Sequence, residues 1–138
     1  MKSISKLLLS LTFTLLISTV LSAQNPNFTI QWNSNCEVQS TQAKYRLTYT
    51  IVHIPTLTPV FTPVIISNIP LSQSSQWINI DFWSCDRDEL ALNYLVYAKV
   101  ERVEPNGDVS CTGEIRSSYK KCSELYDGLT FTVQMYYP

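Results

Sequence analysis

The chain has 138 residues, with 10 Lys and Arg against 11 Asp and Glu. That length suits one ordinary domain, and the near-neutral balance offers no basic surface to follow a phosphate backbone, so nucleic acid is excluded as the expected partner. Three dispersed glycines leave no Gly-rich phosphate loop, and a single histidine leaves little for metal binding or acid–base chemistry.

The first residues read as a leader. Lys2 and Lys6 precede an apolar run from Leu7 to Leu21, which closes on "LSAQ" with the small Ala23 before a cleavage point. Residues 1–23 are therefore expected to be a signal peptide. Residues 24–138 are expected to form a single secreted domain, extracellular or periplasmic if the source is bacterial. The run is about 15 residues, short of the ~20 that cross a bilayer, and no later segment approaches that length. Without Lys2 and Lys6, 8 basic and 11 acidic side chains remain.

Strand patterns follow. "FTIQW" puts Phe28, Ile30 and Trp32 on one face; "YRLTYTIVH" aligns Tyr45, Leu47, Tyr49, Ile51 and His53. Pro55, Pro59, Pro63 and Pro70 exclude a central strand over most of the next stretch, leaving a short edge strand at 64–67. "WINIDFW" puts Ile78, Ile80 and Phe82 on one face. "LNYLVYAKV" aligns Leu92, Tyr94, Val96, Ala98 and Val100, and "LTFTVQMYY" aligns Leu129, Phe131, Val133, Met135 and Tyr137. Period-two alternation rich in β-branched and aromatic residues marks half-buried antiparallel strands. "YKKCSELYDG" suits a short helix closed by Gly128.

"EPNGD" at 104–108 joins two strands, and two turns compete. A type I turn at Pro105-Asn106 would leave Gly107 left-handed with a bulge. A two-residue Asn106-Gly107 turn would pair Lys99 with Glu114 and Ala98 with Ile115. The register stays open.

Four cysteines in an exported chain imply two disulfides, and their wide spacing does not suit zinc. If 109–118 is extended it covers roughly 33 Å, whereas bridged Cα atoms lie within about 7 Å, so Cys111 and Cys122 do not pair unless the strand folds back. Counting strand directions puts Cys36 and Cys111 at one end and Cys85 and Cys122 at the other. The expected bridges are Cys36–Cys111 and Cys85–Cys122, provided 64–67 is a crossing strand.

The fold class expected is an all-β antiparallel sandwich of 7–8 strands with two disulfides. "FTIQW", "YRLTY" and "YLVYAKV" followed by "NG" resemble the second, third and sixth strands of a fibronectin type III or related immunoglobulin-like sandwich, over about residues 28 to 118. The chain departs from that pattern: no first strand precedes Phe28, the Pro-rich middle is long, and the strand at 129–137 is extra. The resemblance implies an adhesion or ligand-binding module, usually without catalysis.

Candidate chemistry is sparse. His53 reads as a strand-end histidine with a satisfied hydrogen bond. Asp81, Asp86, Asp88 and Glu89 read as a solvated acidic loop, so no catalytic residue, metal or cofactor is expected. Asn27-Phe28-Thr29 is a glycosylation sequon, relevant in a eukaryotic secretory pathway. The sharpest feature is the face opposite Ile78 and Ile80. There Trp77, Asn79, Asp81 and Trp83 should share one side of a strand, with aromatic planes to stack on sugar rings and polar groups for hydroxyls. The expected function is a secreted, non-enzymatic recognition or adhesion module with a protein partner. The alternative is a carbohydrate-binding domain using those four residues.

Overall fold

In the computed structural model, which describes residues 25–138, eight strands form two stacked sheets. The expected leader lies outside the described residues. The strands are β1 (Asn27–Ser34), β2 (Lys44–His53), β3 (Thr58–Pro59), β4 (Val64–Ile69), β5 (Ser75–Asn79), β6 (Tyr94–Val103), β7 (Val109–Arg116) and β8 (Leu129–Met135). A 3-10 turn at Ser123–Tyr126 precedes Gly128, whose φ of 67° suits glycine.

One sheet has the order β5-β1-β8. The other runs β3-β2-β6-β7, and β4 shares the β3 edge of β2. The alternating residues named from the sequence supply the core: Phe28, Ile30 and Trp32 from β1, Leu47 and Ile51 from β2, Val96, Ala98 and Val100 from β6, and Phe131, Val133 and Met135 from β8 are all buried. Among the described residues no helix is long and apolar enough to cross a membrane.

Two expectations are corrected. The sandwich is not wholly antiparallel: β8 runs parallel to β1, Phe28 opposite Leu129 through Ser34 opposite Met135. With the end where β1 begins taken as the lower end, β7 runs down to it and the segment 117–128 stays there, so β8 enters beside the start of β1. The strand at "WINIDFW" stops at Asn79, which pairs with Asn27, the first residue of β1; one further bond, Ile80 N–H to the Pro26 carbonyl, ends the pairing. Phe82 consequently leaves the core face and is exposed, as is Leu92, which precedes β6.

The β6–β7 hairpin combines the first of the two turns with the strand pairing expected of the second. Gly107 N–H bonds to Glu104 carbonyl and Gly107 has φ 90°, the type I turn with a left-handed glycine. Yet Lys99 faces Glu114 and Ala98 faces Ile115. A bulge between Arg102 and Val103 absorbs the one-residue difference and leaves Ser110 unpaired and buried.

The disulfides are Cys36–Cys111 and Cys85–Cys122, with Cα separations of 6.0 and 5.9 Å. This is the pairing that strand direction demands once β4 crosses the sheet. Closing long loops in the unfolded chain, each contributes about 4 kcal/mol on the chain-entropy model.

An ion cluster occupies the upper outer face of the larger sheet. Glu101 accepts hydrogen bonds from Arg46 at 2.8 Å and faces Lys99 Nζ at 2.8 Å. Burial pushes its carboxyl up, but the two cations together outweigh burial and hold it below the usual range. A carboxyl depressed on folding stabilises fully above its unfolded value, and that stabilisation disappears as pH falls through the folded value. Glu101→Gln should therefore be less stable than wild type by about 1 kcal/mol at neutral pH. The gap should close on acidification below about pH 4. Thermal melts of both proteins from pH 7 downward check this; a gap that persists in acid contradicts it.

Candidate functional site

Two outer faces carry the candidate chemistry. On the three-stranded sheet, β5 projects Ser75, Trp77 and Asn79 outward. Between Phe28, Ile30 and Trp32, β1 projects Asn27, Thr29, Gln31 and Asn33; β8 adds Thr130, Thr132 and Gln134. None of these side chains is charged. Trp77 is 62% exposed, and its register neighbours are Thr29 and, one strand further, Thr130. Gln31 donates to the Thr132 hydroxyl at 2.7 Å.

Of the row anticipated from the sequence, the structure keeps Trp77 and Asn79 together and separates the rest. Asp81 lies past the strand end, exposed; burial and then the charge of Asp81 raise the pKa of Tyr49 on β2. Trp83 does not share the face. It is half-buried at the lower rim, its ring 6.3 Å from Phe61 and 5.7 Å from Tyr94. The physical reason is the short β5: once the chain leaves the sheet, period-two alternation no longer governs side-chain direction. The Cys85–Cys122 bridge fixes the following loop against the lower end.

The second face is a groove of about 560 Å³ on the lower half of the larger sheet. Its floor is Val52 and Thr50 of β2 with Leu95 and Tyr97 of β6. Leu57, Pro59 and Pro63 line one side, and Arg116 and Tyr119 the other. Tyr119 is 56% exposed and Leu57 78% exposed. The Thr50 hydroxyl is used internally, donating to the Phe61 carbonyl at 3.1 Å. Tyr97 donates its hydroxyl to Glu114 at 3.1 Å; burial, then that carboxylate, raise its pKa. The sequence pattern of alternating faces missed this groove. The available signal was "YLVY" at 94–97, apolar on both strand faces where a solvated outer face would be polar.

Leu57 is held in an unusual backbone. It closes the β2–β3 turn with its N–H on the Ile54 carbonyl at 3.2 Å, and its φ is 53°. His53 belongs to the same turn: its Nδ1 lies 3.0 Å from the Thr56 hydroxyl, and its ring packs 5.6 Å from Tyr94. The acids at 86–89 serve their own loop: Asp86 accepts the Asp88 N–H at 3.0 Å, and Glu89 accepts from the Asn93 amide. Among the described residues no group of three or more His, Cys, Asp or Glu side chains is placed to hold a metal ion.

No protein-family model, curated protein or solved structure matches this chain.

Proposed function

We propose that the chain is an exported, non-enzymatic recognition module of immunoglobulin-like architecture, and that it binds a protein partner through the groove on the larger sheet. Strand order supports the architecture. Immunoglobulin-type sandwiches keep the second and fifth strands in one sheet and place the third, sixth and seventh in the other. Taking β1 as the second strand, β5 pairs with β1, and β2, β6 and β7 are neighbours. The place of a first strand beside β1 is taken by β8. Two disulfides suit an oxidising compartment, which supports export.

Fold does not fix function, so the groove carries the reading. The single observation is Leu57. A left-handed backbone costs an L-residue with a bulky side chain about 1–2 kcal/mol, whereas asparagine or glycine tolerates it. A leucine there, exposed on the rim of an apolar groove, trades stability for an apolar contact. Tyr97, Tyr119 and Arg116 supply the residue types that dominate binding energy at protein interfaces.

Leu57→Asn separates the two effects. It should raise stability by about 1 kcal/mol in urea titration. It should also weaken saturable binding of the labelled domain to the surface proteins of the cells that make it by about tenfold or more. Unchanged binding by the stabilised variant would sink the groove reading. A second reading, carbohydrate binding, is favoured by the exposed Trp77 on the opposite sheet.

A further inference from the structure

We propose that the outer face of the three-stranded sheet is a separate binding platform, and that its ligand is a neutral polysaccharide chain. This deepens the second reading above, on which it rests, and uses the opposite side of the sandwich from the groove, so its failure would leave the protein-partner reading standing. The register aligns Trp77, Thr29 and Thr130 in one row across the three strands. Ser75, Gln31 and Thr132 form the next row. Neighbouring strands lie about 4.8 Å apart, so each row is roughly 10 Å wide, and rows repeat about every 6.8 Å along the strand. One row thus offers an indole plane at the β5 edge with two hydroxyls in line beside it, over a footprint of a sugar ring or two.

The chemistry selects the ligand class. A pyranose has an apolar C–H face and a rim of hydroxyls. An exposed indole covers the first, and hydroxyl and carboxamide groups, each both donor and acceptor, match the second. Charge narrows it further. The chain carries 11 acidic and 10 basic side chains, yet the outward positions of β1, β5 and β8 hold none of them. A sulfated, phosphorylated or uronic polymer would find no cation on this face to offset its desolvation. A protein partner would find one large apolar group where interface cores need several. An uncharged, hydroxyl-rich polymer is the complementary ligand.

The tryptophans make the test direct. Trp32 is 3% exposed and Trp83 half-buried, so acrylamide quenching of the oxidised protein reports chiefly on Trp77. Cellohexaose, laminarin, xyloglucan and mannan are the neutral probes; alginate and heparin are the acidic ones. The expected result is that at least one neutral probe shields the fluorescence saturably and the acidic probes do not. By calorimetry, affinity for that probe should fall tenfold or more in Trp77→Ala. The same loss is expected in Thr130→Lys, which leaves the indole in place, so misfolding of one variant does not decide the matter. Tyr119→Ala, in the groove, should bind the probe as wild type does. Failure of every neutral probe, or equal shielding by alginate and heparin, overturns the proposal. Loss of binding in Tyr119→Ala alone would place the sugar in the groove instead and overturn it too.

Discussion

Gly113→Ala should cost roughly 3 kcal/mol or more, because overpacking against backbone leaves nothing cheap to move. Gly113 sits on β7 where the two sheets meet at one edge. There Thr112 and Tyr136 exchange two backbone hydrogen bonds of 2.8 Å, tying β7 to the end of β8. A Cβ at position 113 would lie 2.1 Å from the Gln134 carbonyl oxygen and 2.9 Å from Val133 Cγ1. The cause is close approach, not an unusual φ. To admit a methyl group, β8 must retreat, and the Thr112–Tyr136 bridge goes with it. Urea titration at neutral pH checks the loss. A midpoint within error of wild type would mean that the sheets do not touch at this corner.

Arg102→Met should be comparably severe, about 3–5 kcal/mol, since it strips partners from buried polar groups while keeping most of the volume. Arg102 follows Val100 on the inward face of β6 and is fully buried. Its Nε donates to the Ser110 hydroxyl at 2.8 Å; its two terminal nitrogens donate to the carbonyls of Cys36 at 3.3 Å and Glu37 at 2.6 Å. The Glu104 carboxylate lies 3.5 Å from Nε and also accepts from Ser110. One guanidinium thus holds the loop after β1 and the bulge of β7, the two segments that Cys36–Cys111 also joins. Because arginine and disulfide restrain the same loop, their losses should not add. Calorimetric melts of Arg102→Met, the Cys36→Ala/Cys111→Ala double variant and the combination test both points. A near-neutral Arg102→Met, or full additivity, contradicts the shared-clamp account.

Arg102 also marks where sequence reasoning stops. Period-two alternation located β1, β2, β6 and β8 because each buries one face, and a one-residue slip would put its apolar set in water. The same alternation places Arg102 inward, but charge argues for the surface, and only the carbonyls of a distant loop resolve the conflict. Strand direction sufficed for the disulfides, since it depends on the number of crossings rather than on register. The hairpin register did not follow from the turn alone, because the bulge at Ser110 lets the strand bodies take a pairing one residue out of step with the turn. At the candidate site, Trp77 and Asn79 were legible as outward residues of a strand. Trp83 was not, because the end of β5 is set by where β1 begins. The groove was hidden for another reason: Leu57, Pro59, Tyr97 and Tyr119 come together only when β3 folds onto β2 and the segment after β7 crosses beside β6.

The proposed recognition runs through that groove. Its most direct measurement is position-resolved photo-crosslinking, with a photoreactive phenylalanine analogue replacing Tyr119, Leu57 or, as a remote control, Gln42, presented to the cells that make the protein. One discrete protein adduct is expected from positions 119 and 57, absent from position 42 and suppressed by excess unlabelled domain. Adducts of equal yield from all three positions, or none from the groove, would contradict it.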